Sequence, residues 1–204
     1  MNVYLIRHAQ SEENTLNLRQ QVSRADFNRI VGQSALSPIT PHGRAQAEAV
    51  AISFNGIPID RLYSSPFLRA LQTAEIIGGR FSLAPIVLAD LREILPRTMP
   101  EQRSARSLRR LFIQSYLEML LPGQGSPQGE GWREAYTRVK RAFAAITEEP
   151  AENVVAVAHR GTIGLILWGL RRSPQWRVLS RDLSNTGVSL VQRVDHRADD
   201  EPFG

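Results

Sequence analysis

Residues 2–11 read Asn2-Val3-Tyr4-Leu5-Ile6-Arg7-His8-Ala9-Gln10-Ser11, a short β-rich apolar run that stops on cationic and polar side chains. A second stretch has the same form: Val154-Val155-Ala156-Val157-Ala158 runs directly into His159-Arg160. Five apolar residues without polar alternation fit a strand covered on both faces, as in the middle of a parallel sheet. Both runs therefore predict central strands that deliver an Arg-His or His-Arg pair at their carboxyl ends.

Outward from these two strands the pattern alternates. Thr40-Pro41 supplies an N-cap and a proline at the first helical position, opening an alanine-rich helix from Gly43 to Phe54. Arg61-Leu62-Tyr63-Ser64 reads as a strand. Ser65-Pro66 opens a helix that runs to Ile77 and is expected to stop at Gly78-Gly79, and Ile86 to Leu88 is a short strand. Leu108, Leu111, Phe112, Tyr116 and Leu120 have helical spacing within 101–121. A Gly/Pro-rich break, Pro122 to Gly131, precedes a helix over about Trp132 to Thr147. Gly161 to Leu170 is a further helix and Gly187 to Val194 a last strand. Residues 15–37 are polar and weakly periodic, a long loop or a broken helix. Alternating strands and helices predict an α/β sandwich with a largely parallel sheet. In such sheets ligands bind beyond the carboxyl ends of the strands. Three predicted strand ends carry chemistry there: Arg7-His8, Ser64-Ser65 leading to Arg69, and His159-Arg160.

The chain has 204 residues, 42% of them hydrophobic and 22% charged, and a formal charge of +5. That suits one globular domain with at most a modest insertion. There is no cysteine, which excludes disulfides, thiolate nucleophiles and Cys-ligated zinc. Neither a signal peptide nor an apolar run of about 18 residues is present, so the default expectation is a cytoplasmic protein without membrane association. Lys140 is the only lysine. The arginines that make up the rest of the basic side are scattered and are not interleaved with aromatics, so nucleic acid is not an expected partner.

Two histidines, His8 and His159, follow strand patterns and adjoin arginines; His42 and His196 have no such context and are read as non-catalytic. Phosphoryl transfer suits this set. The equatorial oxygens need preorganised cations and N–H donors, a nucleophile must lie in line, and a proton must reach the leaving oxygen. Neutral imidazole is a good nucleophile near pH 7, and arginine grips phosphate bidentately. No metal motif is evident and no cofactor is expected.

Leu5-Ile6-Arg7-His8-Ala9-Gln10-Ser11, with Asn14 beyond it, resembles the signature of the histidine phosphatase superfamily, which includes the cofactor-dependent phosphoglycerate mutases. The stretch from Leu36 to Ala47 resembles that family's Pro-Leu-Thr-x-x-Gly-x-x-Gln-Ala helix start. Ser64-Ser65-Pro66-Phe67-Leu68-Arg69-Ala70-Leu71-Gln72-Thr73-Ala74 is a close match to its second motif. Leu91-Arg92-Glu93-Ile94 is similar to the segment holding its acid, Val154 to Gly161 to the strand with its second histidine, and Asn185-Thr186-Gly187-Val188 to the start of its last strand. The resemblance spans residues 3–191. It implies a three-layer α/β/α sandwich with a mostly parallel central sheet, phosphoglycerate mutase-like, with a small helical cap, the cap-like insertion covering roughly 101–147 of a single 1–204 domain.

The resemblance also implies roles. His8 is the nucleophile, passing through a phosphohistidine. Glu93 is the proton donor, with Asp90 the alternative if the loop register differs by a turn. Arg7 and Arg69 bind the phosphoryl oxygens, with Asn14 and His159 completing the pocket, and Gln20 stands where the family often has a pocket-lining glutamine. Three departures stand out: Ala9 replaces the usual Gly, Arg160 replaces a common Gly, and the segment from Gln20 to Ser37 is long. Family mutases are longer and carry a Tyr-Gly-x-Leu-x-Gly stretch soon after the acid; here Ile94-Leu95-Pro96-Arg97-Thr98-Met99-Pro100 follows instead. The expectation is a metal-independent phosphoric monoester hydrolase, with mutase transfer or an inactive phosphate-binding scaffold as alternatives. The expected partner is a small phosphorylated molecule, and a homodimer is left open.

Overall fold

The computed structural model describes residues 1–96, 98–100, 105–118 and 130–194. Its strands are β1 (Asn2–Arg7), β2 (Gln21–Val22), β3 (Arg61–Ser64), β4 (Ile86–Val87), β5 (Arg106–Ser107), β6 (Asn153–Ala158), β7 (Trp176–Val178) and β8 (Val188–Arg193). Its helices are α1 (Arg24–Gln33), α2 (Pro41–Ser53), α3 (Leu68–Phe81), α4 (Leu108–Glu118), α5 (Trp132–Thr147) and α6 (Arg160–Leu170). Six strands form one sheet in the order β4-β3-β6-β1-β8-β7. The pairs β4-β3, β3-β6 and β6-β1 are parallel. The pairs β1-β8 and β8-β7 are antiparallel.

The continuous apolar runs are the two central strands. Successive residues of a strand point to opposite faces, and the two core clusters divide accordingly. Val3, Leu5, Val154 and Ala156 face α5 and α6, meeting Ala135, Val139, Ile146, Ile163 and Ile166. Ile6, Val155 and Val157 face α2 and α3, meeting Val50, Ala51, Ala70, Ala74 and Ile77. The result is a three-layer α/β/α sandwich. A third, smaller cluster joins Val22, Phe27 and Val31 to Met99, Leu108 and Leu111. It packs α1 against α4, fastened by the two-residue antiparallel ladder of β2 with β5.

The segment 15–37 therefore contains α1, capped by Ser23 Oγ accepting from Asp26 N–H. The expected cap over 101–147 divides. Its α4 part sits with α1 in the small cluster, whereas α5 belongs to the sandwich because Ala135, Val139, Ala142 and Ile146 are fully buried against the sheet. Residues 101–104 and 119–129 of that span lie outside the described residues. The strand β7, too short and too mixed in composition to announce itself in the sequence, adds an antiparallel edge.

Helix α3 does not stop at Gly78-Gly79 but continues to Phe81 and ends at Ser82, whose φ of +56° is left-handed. Gly78 is there for close approach rather than termination: a Cβ would lie 2.2 Å from the Leu83 carbonyl oxygen and 2.8 Å from Leu62 Cδ2. A Cβ on Gly79 meets nothing within 4 Å. Adjacent glycines in one helix thus have opposite expectations. Gly79→Ala raises the unfolding free energy by about 0.5–1 kcal/mol through helix propensity. Gly78→Ala lowers it by about 1–3 kcal/mol through overpacking. Urea denaturation of the two variants checks both signs.

Candidate active site

Register places the site. Arg7 pairs with Ala158 and Ser64 with Val157. The ladder then continues one residue further, His8 N–H donating to Ala158 O and Ser65 N–H to Val157 O. His8, Ser65 and His159 consequently leave three adjacent parallel strands at one level. The two imidazoles are 5.1 Å apart between centroids, and Ser65 Oγ is 2.7 Å from His159 Nε2.

The loop after His8 is held from two helices. Ala9 N–H donates to Thr73 Oγ1, which itself donates to Arg69 O within α3. Gln10 N–H donates to Gln46 Oε1 of α2, and Thr40 N–H donates to Gln10 O. Thr40 Oγ1 also caps α2 by accepting from Gly43 N–H. Gly43 must lack a side chain, since a Cβ would come 2.1 Å from the Gln10 carbonyl oxygen. The two helix-start motifs are thus the clamps of the His8 loop. Ala9 is buried and has no left-handed φ, so glycine is not required there.

His8 has its tautomer set by its neighbours. Nδ1 is 2.7 Å from the Ala9 carbonyl oxygen, which only accepts, so Nδ1 carries the proton. Nε2 is left with its lone pair, which accepts from Arg69 Nε–H at 3.1 Å. Burial, then the Arg69 charge, pushes the His8 pKa down to about 3, the Ala9 bond acting in the other direction. The imidazole is neutral and nucleophilic at any ordinary pH. His159 is likewise driven well down by burial and then by His8. Ser65 Oγ, the partner of His159 Nε2, also accepts from Phe67 N–H. His159 Nδ1 and Arg7 Nε are buried and have no hydrogen-bond partner among the described residues. Buried polar atoms without partners are costly, and an anion in the pocket that Arg7 lines would satisfy its Nε–H.

A pocket of about 250 Å³ opens beside these groups, lined by Arg7, His8, Asn14, Arg69, Glu93 and Tyr116 among others. Arg7 reaches it with Nη1 anchored on Leu183 O. Asn14 is held by Oδ1, which accepts from Ser11 N–H and Asn185 Nδ2, leaving its own amide donors free. Glu93 follows the short turn 89–91. Arg138 of α5 donates to the Asp90 and Arg92 carbonyls, and Thr162 of α6 donates to Arg92 O. Its Oε1 accepts from Ile94 N–H at 2.8 Å. A Cβ on Gly161 would lie 2.6 Å from that Oε1, so the glycine at the start of α6 makes room for the carboxyl. Burial raises the Glu93 pKa, against the Ile94 bond and the Arg69 charge. Asp90 instead turns to Arg141, 3.0 Å away, and is not among the residues lining the pocket, whereas Glu93 is.

Gln20 is not in the pocket. Its backbone is tied to Asn17 and Leu108, its side chain is exposed, and the β2–β5 ladder holds the segment at the protein's edge. Three participants carried no sequence signal. Glu13, in a variable position of the signature, pairs with Arg69 at 3.1 Å and accepts from Ser34 Oγ. Ser34 O accepts from Arg69 Nη1. Arg138 is buried and paired with Glu130. His42 is exposed, and His196 lies outside the described residues.

Residues 3–199 match the family described as histidine phosphatase superfamily (branch 1). The chain belongs to that superfamily. It is 30% identical over 205 residues to a Klebsiella pneumoniae protein named "Probable phosphoglycerate mutase GpmB", the alignment covering 97% of this chain and 86% of the relative. The same-named Proteus mirabilis protein is 31% identical over 201 residues, with the same coverage. Among solved structures, an alpha-ribazole phosphatase from Shigella flexneri superposes with a TM-score of 0.65 at 22% identity, covering 85% of this chain and 81% of that one. A phosphoserine phosphatase mutant from Entamoeba histolytica, in complex with phosphoserine, gives 0.59 at 21% identity, covering 93% and 89%. These likenesses show the superfamily's fold. Superfamily members act as phosphatases or mutases.

The buried neutral His8 has a consequence for stability. The unfolded chain takes up a proton at this residue below pH about 6.5, whereas the folded protein does so only near 3, so stability is full above 6.5 and falls as the pH drops toward 3. His8→Asn should remove one proton's worth of that slope, about 1.4 kcal/mol per pH unit. Urea denaturation of both proteins from pH 7 to 4 measures the difference.

Proposed function

We propose that the protein is a phosphatase that hydrolyses a phosphomonoester through a phosphohistidine on His8. The observation that carries this reading is His8 Nε2, neutral and unprotonated, at a pocket lined also by Arg69 and by Arg7, whose buried Nε–H has no partner among the described residues.

In the first step the Nε2 lone pair forms a bond to phosphorus as the bond from phosphorus to the ester oxygen breaks. The departing oxygen takes the proton of Glu93, whose raised pKa keeps it in the acid form to higher pH than an exposed glutamate. Arg69, Arg7, Asn14 and His159 hold the equatorial oxygens, and the dianion displaces Glu13 from Arg69. The phosphoimidazole retains the Nδ1 proton, donated to Ala9 O. In the second step the Glu93 carboxylate takes a proton from water, the water oxygen bonds to phosphorus and the N–P bond breaks. Inorganic phosphate leaves and His8 is again neutral. The arginines carry the charge compensation, and no step requires a metal ion.

Hydrolysis is favoured over mutase transfer because the Tyr-Gly stretch of the mutases is missing after Glu93 and because the acid faces an open groove. The mutase reading keeps the support of the relatives' names. Incubation with 3-phosphoglycerate and its bisphosphate separates the two: release of inorganic phosphate without interconversion supports the phosphatase, and rapid interconversion overturns it.

p-Nitrophenyl phosphate should be turned over in EDTA, and His8→Ala should lower the rate by at least three orders of magnitude. Retention of most activity would move the nucleophile elsewhere. Glu93→Gln should slow an alkyl phosphate far more than p-nitrophenyl phosphate, whose leaving oxygen scarcely needs a proton. With an alkyl phosphate, kcat/KM should fall as pH rises through the raised Glu93 pKa, and Glu93→Gln should abolish that limb; a limb unchanged in the variant assigns the acid to another group.

A further inference from the structure

A second concavity lies on the far side of Glu93. It has a volume of about 1110 Å³ and shares Glu93, Ile94 and Tyr116 with the phosphoryl pocket. The two therefore adjoin, with Glu93 on their common wall. The smaller part holds the donors for a phosphoryl group. At about 250 Å³ it can take a phosphoryl group with a small substituent but not a large one.

Chemistry directs the rest of the substrate. The proton donor must reach the ester oxygen on the side away from His8. Whatever is attached to that oxygen must then extend past Glu93, into the larger groove. Its walls are apolar: Ile113 and Leu117 from α4, Trp132 from α5, and Leu165 and Trp168 from α6. Leu117 and Trp168 are 58% and 54% exposed and, with Ile113 and Trp132, which are also exposed, form one contiguous apolar patch along the groove. Trp168 is nevertheless held in place, its ring meeting that of Tyr136 edge-on at 5.1 Å. Apart from Glu93, the charged groups on the walls are cations: Arg160, Arg171 and Arg181. None of the three forms an ion pair among the described residues. Arg160 is the residue that departs from the family pattern after the second histidine. It stands at the start of α6, close enough to Arg7 to lower its pKa after the effect of burial.

Resting on the reading of Glu93 as the proton donor, we infer that the groove beyond Glu93 is the leaving-group site and that the preferred substrate is the phosphate ester of a large, apolar, non-cationic alcohol. A small polar phosphorylated metabolite would leave most of the groove filled with water and gain nothing from its walls. An apolar leaving group would bury Leu117, Trp132 and Trp168.

An alkyl series tests this, because ethyl, butyl, hexyl and octyl phosphate have leaving groups of nearly equal basicity. Two quantities are measured: kcat/KM for the phosphates and the calorimetric Kd of the matching alkylphosphonates, which cannot be hydrolysed. Both should improve by about two- to fourfold per methylene from ethyl to hexyl. In Trp168→Ala and Leu117→Ala that chain-length dependence should flatten; equal losses on every ester would mean a merely structural role and overturn the assignment. Turnover that does not vary with chain length overturns the groove assignment and leaves the phosphatase reading standing. Phosphonate affinity that climbs with chain length in the absence of any turnover keeps the groove and overturns the phosphatase reading. Flat affinity together with no turnover overturns both.

Discussion

The site depends first on the register of three parallel strands. β3, β6 and β1 are hydrogen-bonded in that order, and the last bonds of the two ladders are made by Ser65 and His8 onto carbonyls of β6. A slip of one residue in either ladder would turn the core side chains to the wrong face and separate the two imidazoles. The packing enforces the register. Alternate residues of β1 and β6 are committed to different helical layers, and every one of the six residues of β6 is buried.

Burial then sets the chemistry, with opposite effects on the two key groups. An imidazolium loses more than an imidazole on leaving water, so His8 is kept neutral with its lone pair available. A carboxylate loses more than a carboxylic acid, so burial raises the Glu93 pKa. One enclosure thereby shifts both groups toward their neutral forms. Arg69 opposes the Glu93 effect and, together with Arg7, reinforces the His8 one. Glu13 compensates part of this positive charge at Arg69, a device that also sets what an incoming phosphate must displace.

The helix-start motifs act through shape more than charge. Thr40 at the cap of α2, Gly43 and Gln46 on α2, and Thr73 on α3 all meet the loop after His8 through uncharged groups. They hold that loop so that Arg69 can reach Nε2. On the other side, Arg138 and Thr162 perform the same service for Glu93. Their contacts lie 46 to 70 residues away in sequence, which is why neither stood out in the sequence as part of the site.

Much of the architecture was determined by the sequence alone. Val3 to Ile6 and Val154 to Ala158 are read as buried central strands because continuous apolar runs report burial on both faces. Thr40-Pro41 announces a helix because capping is a local property. His8, Arg7, Arg69 and His159 are identifiable because they sit at fixed offsets from those strands. What depended on long-range pairing was decided only by the tertiary structure. Gln20 fell outside the pocket because the β2–β5 ladder holds its segment at the edge. Glu93 rather than Asp90 faces the pocket because Arg138 and Arg141 orient the turn between them. The α5 half of the supposed cap joined the main core. Glu13 became the partner of Arg69, and Leu117, Trp132 and Trp168, from three separate helices, came together on the walls of one groove. Local spacing reports which face of an element is buried; it carries no information on which distant element meets that face.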